Sequence, residues 1–261
     1  MPKQLVIIDA LNLIRRIYAV QQQRTPNASL EKATEQALLS ACKRIISSLK
    51  PSHIIAVFDG EKSTWRENLF PAYKQSRSPM PEALAKQLEA LKDHLLDIGI
   101  DSVSAANEEA DDICATIASK AATAHYPVTI VSTDRGYYSL LTAGVYLYDY
   151  FKREYVSVNM VEDKFGIKIN QLTDYWALVG ISGVNVSGVP GIGNKGAQTL
   201  LENYASTADI LAETKPNKLV AKVQANSDKL LLAQQLLSLK TDLKLGFSLK
   251  QLRYQAVTQQ S

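Results

Sequence analysis

Short, continuous apolar runs constrain this chain more than any other feature. Leu5-Val6-Ile7-Ile8, Ile54-Ile55-Ala56-Val57-Phe58 and Val128-Thr129-Ile130-Val131 are brief and lack the polar alternation of a strand with one wet face. Such runs mark strands buried on both faces of a parallel sheet. Val145-Tyr146-Leu147-Tyr148 and a short segment at 102–104 read as further strands. Helical periodicity lies between them. It covers 30–49 (Leu30, Ala33, Ala37, Leu38, Cys42, Ile45, Ile46), where Pro51 stops it, then 82–98 with Gly99 as C-cap, and 108–124. A short helix is predicted through 137–141. The alternation predicts an α/β fold built on a doubly wound, mostly parallel sheet.

Past about Tyr155 the strand signal fades, and helices are predicted at 159–166, 170–179 and 194–204, with mostly helical sequence onward to 245. The chain therefore divides into an α/β body at 1–155 and a helical region at 156–261, with no low-complexity linker to hold them apart. At 46% apolar and 21% charged residues, the composition is that of a soluble globular protein. A net charge of +3 is too small to identify a nucleic-acid binder, so such a role must rest on local patches. Cys42 and Cys114 lie in apolar helical stretches and read as core residues in a reducing compartment, not as a disulfide or zinc site. Neither a leader-like start nor a run near the ~18 apolar residues of a membrane span is found, and the cytosol is the expected location.

The candidate chemistry is acidic. Asp9, Asp59 and Asp134 each sit just past an apolar strand run, and Asn107-Glu108-Glu109-Ala110-Asp111-Asp112 opens a predicted helix. Singly these are unremarkable, because Asp ends strands and carboxylates complement a helix N-terminus. In an open α/β sheet, however, ligands bind beyond the carboxyl ends of the strands, where all three aspartates fall. Glu109 and Asp112 are three residues apart and share a helix face. Carboxylates crowded in one crevice repel unless a cation holds them, and an oxygen-only set suits Mg2+ or Mn2+. His53, His94 and His125 are isolated and form no metal motif.

Two further stretches invite a reading. Gly191-Ile192-Gly193-Asn194-Lys195-Gly196 matches the dinucleotide pattern G-x-G-x-x-G, but Gly188 and Pro190 precede it and helix follows, so the strand that pattern requires is missing. It fits a helical hairpin at about 170–204 whose exposed N–H groups suit a DNA phosphate, or else a plain turn between helices. The irregular segment 61–81 is basic and aromatic, with Lys62, Trp65, Arg66, Phe70, Tyr73, Lys74 and Arg77. It reads as a flexible, arch-like loop that pairs phosphates and stacks unpaired bases, Tyr73 among the DNA contacts, or as a solvated charged loop.

Taken in order, Leu-Val-Ile-Ile-Asp9-Ala-Leu-Asn, Val-Phe-Asp59, Tyr73-Lys74-x-x-Arg77-x-x-Met80-Pro81, Glu109-Ala-Asp111-Asp112, Ser-Thr-Asp134-Arg-Gly-Tyr and Gly-Val-Pro-Gly191-Ile-Gly193-Asn-Lys resemble the 5′-nuclease superfamily. That superfamily includes the flap endonucleases and the 5′-nuclease domain of bacterial DNA polymerase I. The resemblance spans residues 4 to about 245. It implies a 5′-nuclease (PIN-like) sheet with a DNA-binding helix-hairpin-helix, and Mg2+-dependent cutting of branched DNA at 5′-flap junctions. It further implies a first metal site made of Asp9, Asp59, Glu109, Asp111, Asp112 and Asp134, with Asp111 the nearest ligand. Lys74 and Arg77 would steady the scissile phosphate. It also implies K+ held in the hairpin by the main-chain carbonyls of Leu178, Val179, Ser187, Val189 and Ile192, with Gly191, Ile192, Gly193, Asn194, Lys195 and Gly196 on the DNA backbone.

The chain departs from the pattern at Gly136, Ile181 and Val184, where typical members carry the carboxylates of a second metal site. The expected activity is therefore a flap endonuclease with a reduced metal site, acting as a monomer on DNA with 5′ single-stranded flaps and without membrane contact. A catalytically weak or inactive branched-DNA binding protein is the alternative. A small-molecule phosphohydrolase explains the aspartates but not the glycine hairpin.

Overall fold

The structure, a computed structural model, describes residues 3–60, 64–141 and 144–255. Residues 61–63 of the basic loop and the last six residues of the helical region lie outside it. The first of the buried runs forms β1 (Leu5–Asp9), followed by α1 (Ala10–Arg24) and α2 (Asn27–Leu49). Then come β2 (His53–Val57), α3 (Trp65–Leu69), α4 (Glu82–Asp97), β3 (Asp101–Val103), α5 (Ala110–Thr123) and β4 (Val128–Val131). A 3-10 turn at Arg135–Leu140 leads to β5 (Val145–Asp149) and β6 (Glu154–Val156). The strand order is β3-β2-β1-β4-β5-β6, parallel from β3 to β5 with β6 antiparallel at the edge.

Period-two alternation divides the core between the two faces. Leu5, Ile7, Ile55, Val57, Val128 and Ile130 face α5, whereas Val6, Ile8, Ile54, Ala56 and Val131 face α1, α2 and α4. This is why the runs read as continuous: both sides of each strand are dry. Helix α1 goes beyond the predicted elements, and its start is fixed by Asp9, whose side chain accepts from Asn12 N–H at 3.3 Å. At the far end of α2, Lys50 takes a left-handed φ of 47° ahead of Pro51.

Beyond the sheet lie α6 (Val158–Phe165), α7 (Leu172–Val179), β7 (Gly180–Ile181), β8 (Val186–Ser187) and α8 (Asn194–Asn203). α9 (Thr207–Ala212), α10 (Lys218–Gln224) and α11 (Ser227–Leu237) complete the helices. The apolar faces of this region share one cluster with α5 and the sheet, Leu172, Trp176 and Leu178 packing in the same core as Ile113 and Ile117. The helical region is thus packed onto the α5 side of the sheet. No helix among the described residues is long and apolar enough to cross a membrane.

The stretch 61–81 has more structure than a flexible loop. Thr64 and Glu67 form a capping box that starts α3, and Tyr73 sinks to 5% exposure within the core. Tyr73 is therefore a packing residue here, unavailable for stacking on an unpaired base.

Candidate active site

The C-terminal edge of the sheet gathers the aspartates, and each serves first as a backbone cap. Asp9 caps α1, and Asp134 Oδ1 accepts from Gly136 N–H at 2.8 Å to start the 3-10 turn. Asp59 Oδ1 accepts from Ala110 N–H at 2.8 Å, satisfying a free donor at the start of α5. The capping and cation-binding readings are therefore compatible, because each cap fixes one carboxylate oxygen. Asn12 ties the strand ends together, its Oδ1 accepting from both Thr133 N–H at 3.1 Å and Thr133 Oγ1 at 3.0 Å.

The electrostatics of the cluster are unbalanced. Asp9 is pushed up to about 8, by burial first and by Asp111 next, with Asp59 and Asp134 adding to the rise and the Ser132 hydroxyl opposing it. Burial likewise raises Asp59 and Asp134, with Asp111 contributing to both. Among the described residues Asp9, Asp59 and Asp134 take part in no ion pair. Asp59 is exposed, and Asp111, on the first turn of α5, keeps 25% side-chain exposure. No three acidic or imidazole side chains among the described residues already close on one point as a finished metal cage. Mg2+ asks for less, since it binds through one or two carboxylates and keeps its waters and substrate oxygens. The donor chemistry fits a hard divalent cation.

Glu109 and Asp112 take different positions. Asp112 is fully buried and engaged at both oxygens: Oδ1 by Arg66 Nη2 at 2.8 Å and Lys240 N–H at 2.9 Å, Oδ2 by Arg66 Nη1 at 2.7 Å and Trp65 Nε1 at 2.9 Å. Four donors saturate it, so its expected place among the metal ligands is corrected to a structural one. Glu109 bridges inward and outward, with Oε2 to Arg66 Nη1 and Oε1 to Lys74 Nζ, both at 2.7 Å. It acts on the cleft through Lys74. Arg66 donates as well to the carbonyls of Leu236 at 2.8 Å and Ser238 at 2.7 Å.

Lys74 Nζ lies 4.0 Å from Asp111. Burial works to lower its pKa, but Asp111 and Glu109 more than offset this and keep it charged. Its backbone N–H donates to Val184 at 2.9 Å, and Arg77 Nε approaches the Gly183 carbonyl at 3.4 Å. Loop cations and hairpin turn therefore meet across a cleft of about 560 Å3, whose walls include Lys74, Arg77, Asp111, Asp134 and Asn194. Gly136, Ile181 and Val184 line the same cleft, so the three missing carboxylates are missing from this wall.

In the hairpin, α7 and α8 are joined through the short β7–β8 pair. Gly180, at φ 80°, and Gly188 bring two backbone stretches so close that a Cβ on either would overlap the other strand. Leu178, Val189 and Ile192 are buried, side chain and main chain alike. Val189 N–H donates to Leu178 at 2.9 Å and Ile192 N–H to Val189 at 3.0 Å, each carbonyl keeping a second lone pair. Gly193 caps α8 without a side-chain bond, so the first N–H groups of that helix are open near Asn194, Lys195 and Gly196. A residue absent from the sequence expectations joins them: a Cβ at Gly191 would meet Lys222 Nζ at 3.0 Å, which places a cation from α10 against the turn. Lys222 lies 31 positions beyond Gly191 in a helix without any motif, and sequence spacing gives no signal for it.

The sheet and the appended helical region match the two domains of the 5′-3′ exonucleases. A family model described as "5'-3' exonuclease, N-terminal resolvase-like domain" matches residues 4–166, and one described as "5'-3' exonuclease, C-terminal SAM fold" matches residues 167–260. The chain belongs to this family. Among its relatives, the protein named flap endonuclease Xni of Psychromonas ingrahamii is 47% identical over 255 residues, spanning 96% of this chain and 97% of that protein. The one so named in Tolumonas auensis is 44% identical over 253 residues, spanning 96% and 97%. A solved structure of the T5 5′-exonuclease with divalent metal ions (zinc) bound superposes with a TM-score of 0.74 at 25% identity, covering 92% of this chain and 90% of that one.

Proposed function

We propose that this protein is a Mg2+-dependent, structure-selective flap endonuclease, hydrolysing phosphodiester bonds of branched DNA at 5′-flap junctions. The observation that carries the reading is one cleft in which Asp111 and Asp134 face two loop cations, Lys74 and Arg77, beside the hairpin turn. Asp9, Asp59, Asp111 and Asp134 would hold Mg2+, with Mn2+ as a substitute. Such an ion, when bound, polarises the phosphate and lowers the pKa of water. Lys74, kept charged by Asp111 and Glu109, and Arg77 bind the non-bridging oxygens and orient the phosphate over the carboxylates. The hairpin holds the duplex by its backbone, through the N–H groups at Gly191 to Gly196 and the Lys222 ammonium. The main-chain carbonyls of Leu178, Val179, Ser187, Val189 and Ile192 would hold K+. This reading makes the protein a monomer of the bacterial cytosol. With Gly136, Ile181 and Val184 in place of acids, the chemistry must run on the remaining carboxylates.

The test is cleavage of an end-labelled 5′-flap duplex in Mg2+ and K+, beside Asp111→Asn. Cuts near the junction that fall on the order of a hundredfold or more in the variant are expected, the worth of several kcal/mol of transition-state stabilisation. Intact flap DNA bound equally by both proteins would sink the nuclease reading in favour of a branched-DNA binding protein.

Lys222→Ala is expected to weaken binding of the duplex at all sequences alike. The log–log salt slope, measured by fluorescence anisotropy over a sodium chloride series, should shallow by about 1. An unchanged slope would remove Lys222 from the interface.

A further inference from the structure

Asp9 is the most buried of the cluster carboxylates, at 5% exposure, yet no cation among the described residues holds it. Neutral donors do so. Ser132 Oγ donates to Asp9 Oδ2 at 2.8 Å, and the Tyr137 hydroxyl reaches the same oxygen at 3.3 Å. Oδ1 keeps only the long cap bond from Asn12 N–H, at 3.3 Å. Tyr137 is 1% exposed and its ring is part of the core facing α5. A phenylalanine would fill that volume, and the hydroxyl adds its bond to Asp9. The turn that delivers Tyr137 inward begins with Asp134 and passes through Gly136.

We propose that Tyr137 is a positioning residue which, together with Ser132, pins Oδ2 of Asp9 so that Oδ1 is the oxygen offered to the divalent cation. The inference rests on the metal reading above and deepens it. Two hydroxyls on one oxygen stop the carboxylate turning about its Cβ–Cγ bond, so it is already oriented when a cation arrives. Outer partners of this kind are worth about 10–100-fold in metal affinity, and the longer Tyr137 bond belongs at the lower end.

The experiment is titration of the whole protein with Mn2+, followed by electron paramagnetic resonance of the free ion, for wild type, Tyr137→Phe, Ser132→Ala and Asp9→Asn. Tyr137→Phe, which keeps the ring and the core, is expected to bind Mn2+ about tenfold more weakly, with Ser132→Ala weakened further. A thermal melt of each variant without metal separates this from loss of fold. A Tyr137→Phe affinity within twofold of wild type, with Asp9→Asn having lost the ion, overturns the positioning role alone. Wild-type affinity in Asp9→Asn overturns the ligand assignment itself, and this inference with it.

Discussion

Arg66→Met is expected to cost about 3–5 kcal/mol of folding stability, the price of leaving a buried charge without its partner. The side chain is 1% exposed and all its donors are engaged within 2.8 Å. It removes five bonds from three segments at once: the start of α5, the end of α11 and the segment behind it. Methionine fills much of the volume but leaves Asp112, which is fully buried, with Trp65 Nε1 and Lys240 N–H alone. Against a total stability of roughly 5–15 kcal/mol, such a loss leaves a marginal protein. Urea unfolding followed by tryptophan fluorescence measures it, since Trp65 stacks 4.4 Å from the Arg66 guanidinium. The double variant Arg66→Met/Asp112→Asn should recover part of the loss, because the orphaned charge is then gone. A single variant within about 0.5 kcal/mol of wild type would mean that the network contributes no more than a surface ion pair.

This network also marks the limit of what the sequence could disclose. Asp9, Asp59 and Asp134 were legible because a doubly dry strand ends abruptly in a residue that caps, and the parallel topology brings those ends together. The same logic placed Asp111 beside them. Asp112 follows Asp111 directly and carries the same chemistry, yet one residue of helix rotation turns it inward, towards an arginine 46 positions earlier in an irregular stretch. Nothing local distinguishes a carboxylate aimed at a cleft from one aimed at a buried guanidinium. Tyr73 fails as a DNA contact for a related reason: an aromatic in a polar, basic run looks exposed until α3 folds and draws it under Glu109. The hairpin glycines were legible as a turn, because positive φ and backbone contact demand glycine at Gly180 and Gly191. Lys222 and Tyr137 were not, since each acts through a distance that only the packed chain defines.

Removing divalent cations should make stability fall steeply with rising pH, and restoring them should flatten the curve. Asp9 has an ordinary value of 3.8, pushed up to about 8 in the folded protein by burial first and by Asp111 next. The folded pKa lies above the unfolded one, so between these two values the folded state keeps a proton that the unfolded chain has released. Stability is greatest below the lower value and drains away as pH climbs through the window. Complete conversion of that displacement is roughly 5 kcal/mol, and Asp59 and Asp134, raised in the same direction, titrate with it rather than independently. A bound divalent cation replaces the proton as the positive charge, and does so best where the proton has left. In EDTA the melting temperature is therefore expected to fall between pH 5 and pH 8.5, whereas Mn2+ restores it at pH 8.5 and changes little at pH 5. Asp9→Asn, neutral throughout, should melt on the order of 5–10 °C above wild type in EDTA at pH 8.5 and gain less from Mn2+. Coincident wild-type curves with and without Mn2+ at pH 8.5 would mean that the carboxylates are stabilised by something other than a metal. The same repulsion that makes the cluster costly to ionise without a cation is then what drives cation binding. A site short of three carboxylates still has reason to hold one ion, because Asp9, Asp59, Asp111 and Asp134 are crowded together and, among the described residues, only one cationic side chain, Lys74, stands within 4.0 Å of any of them.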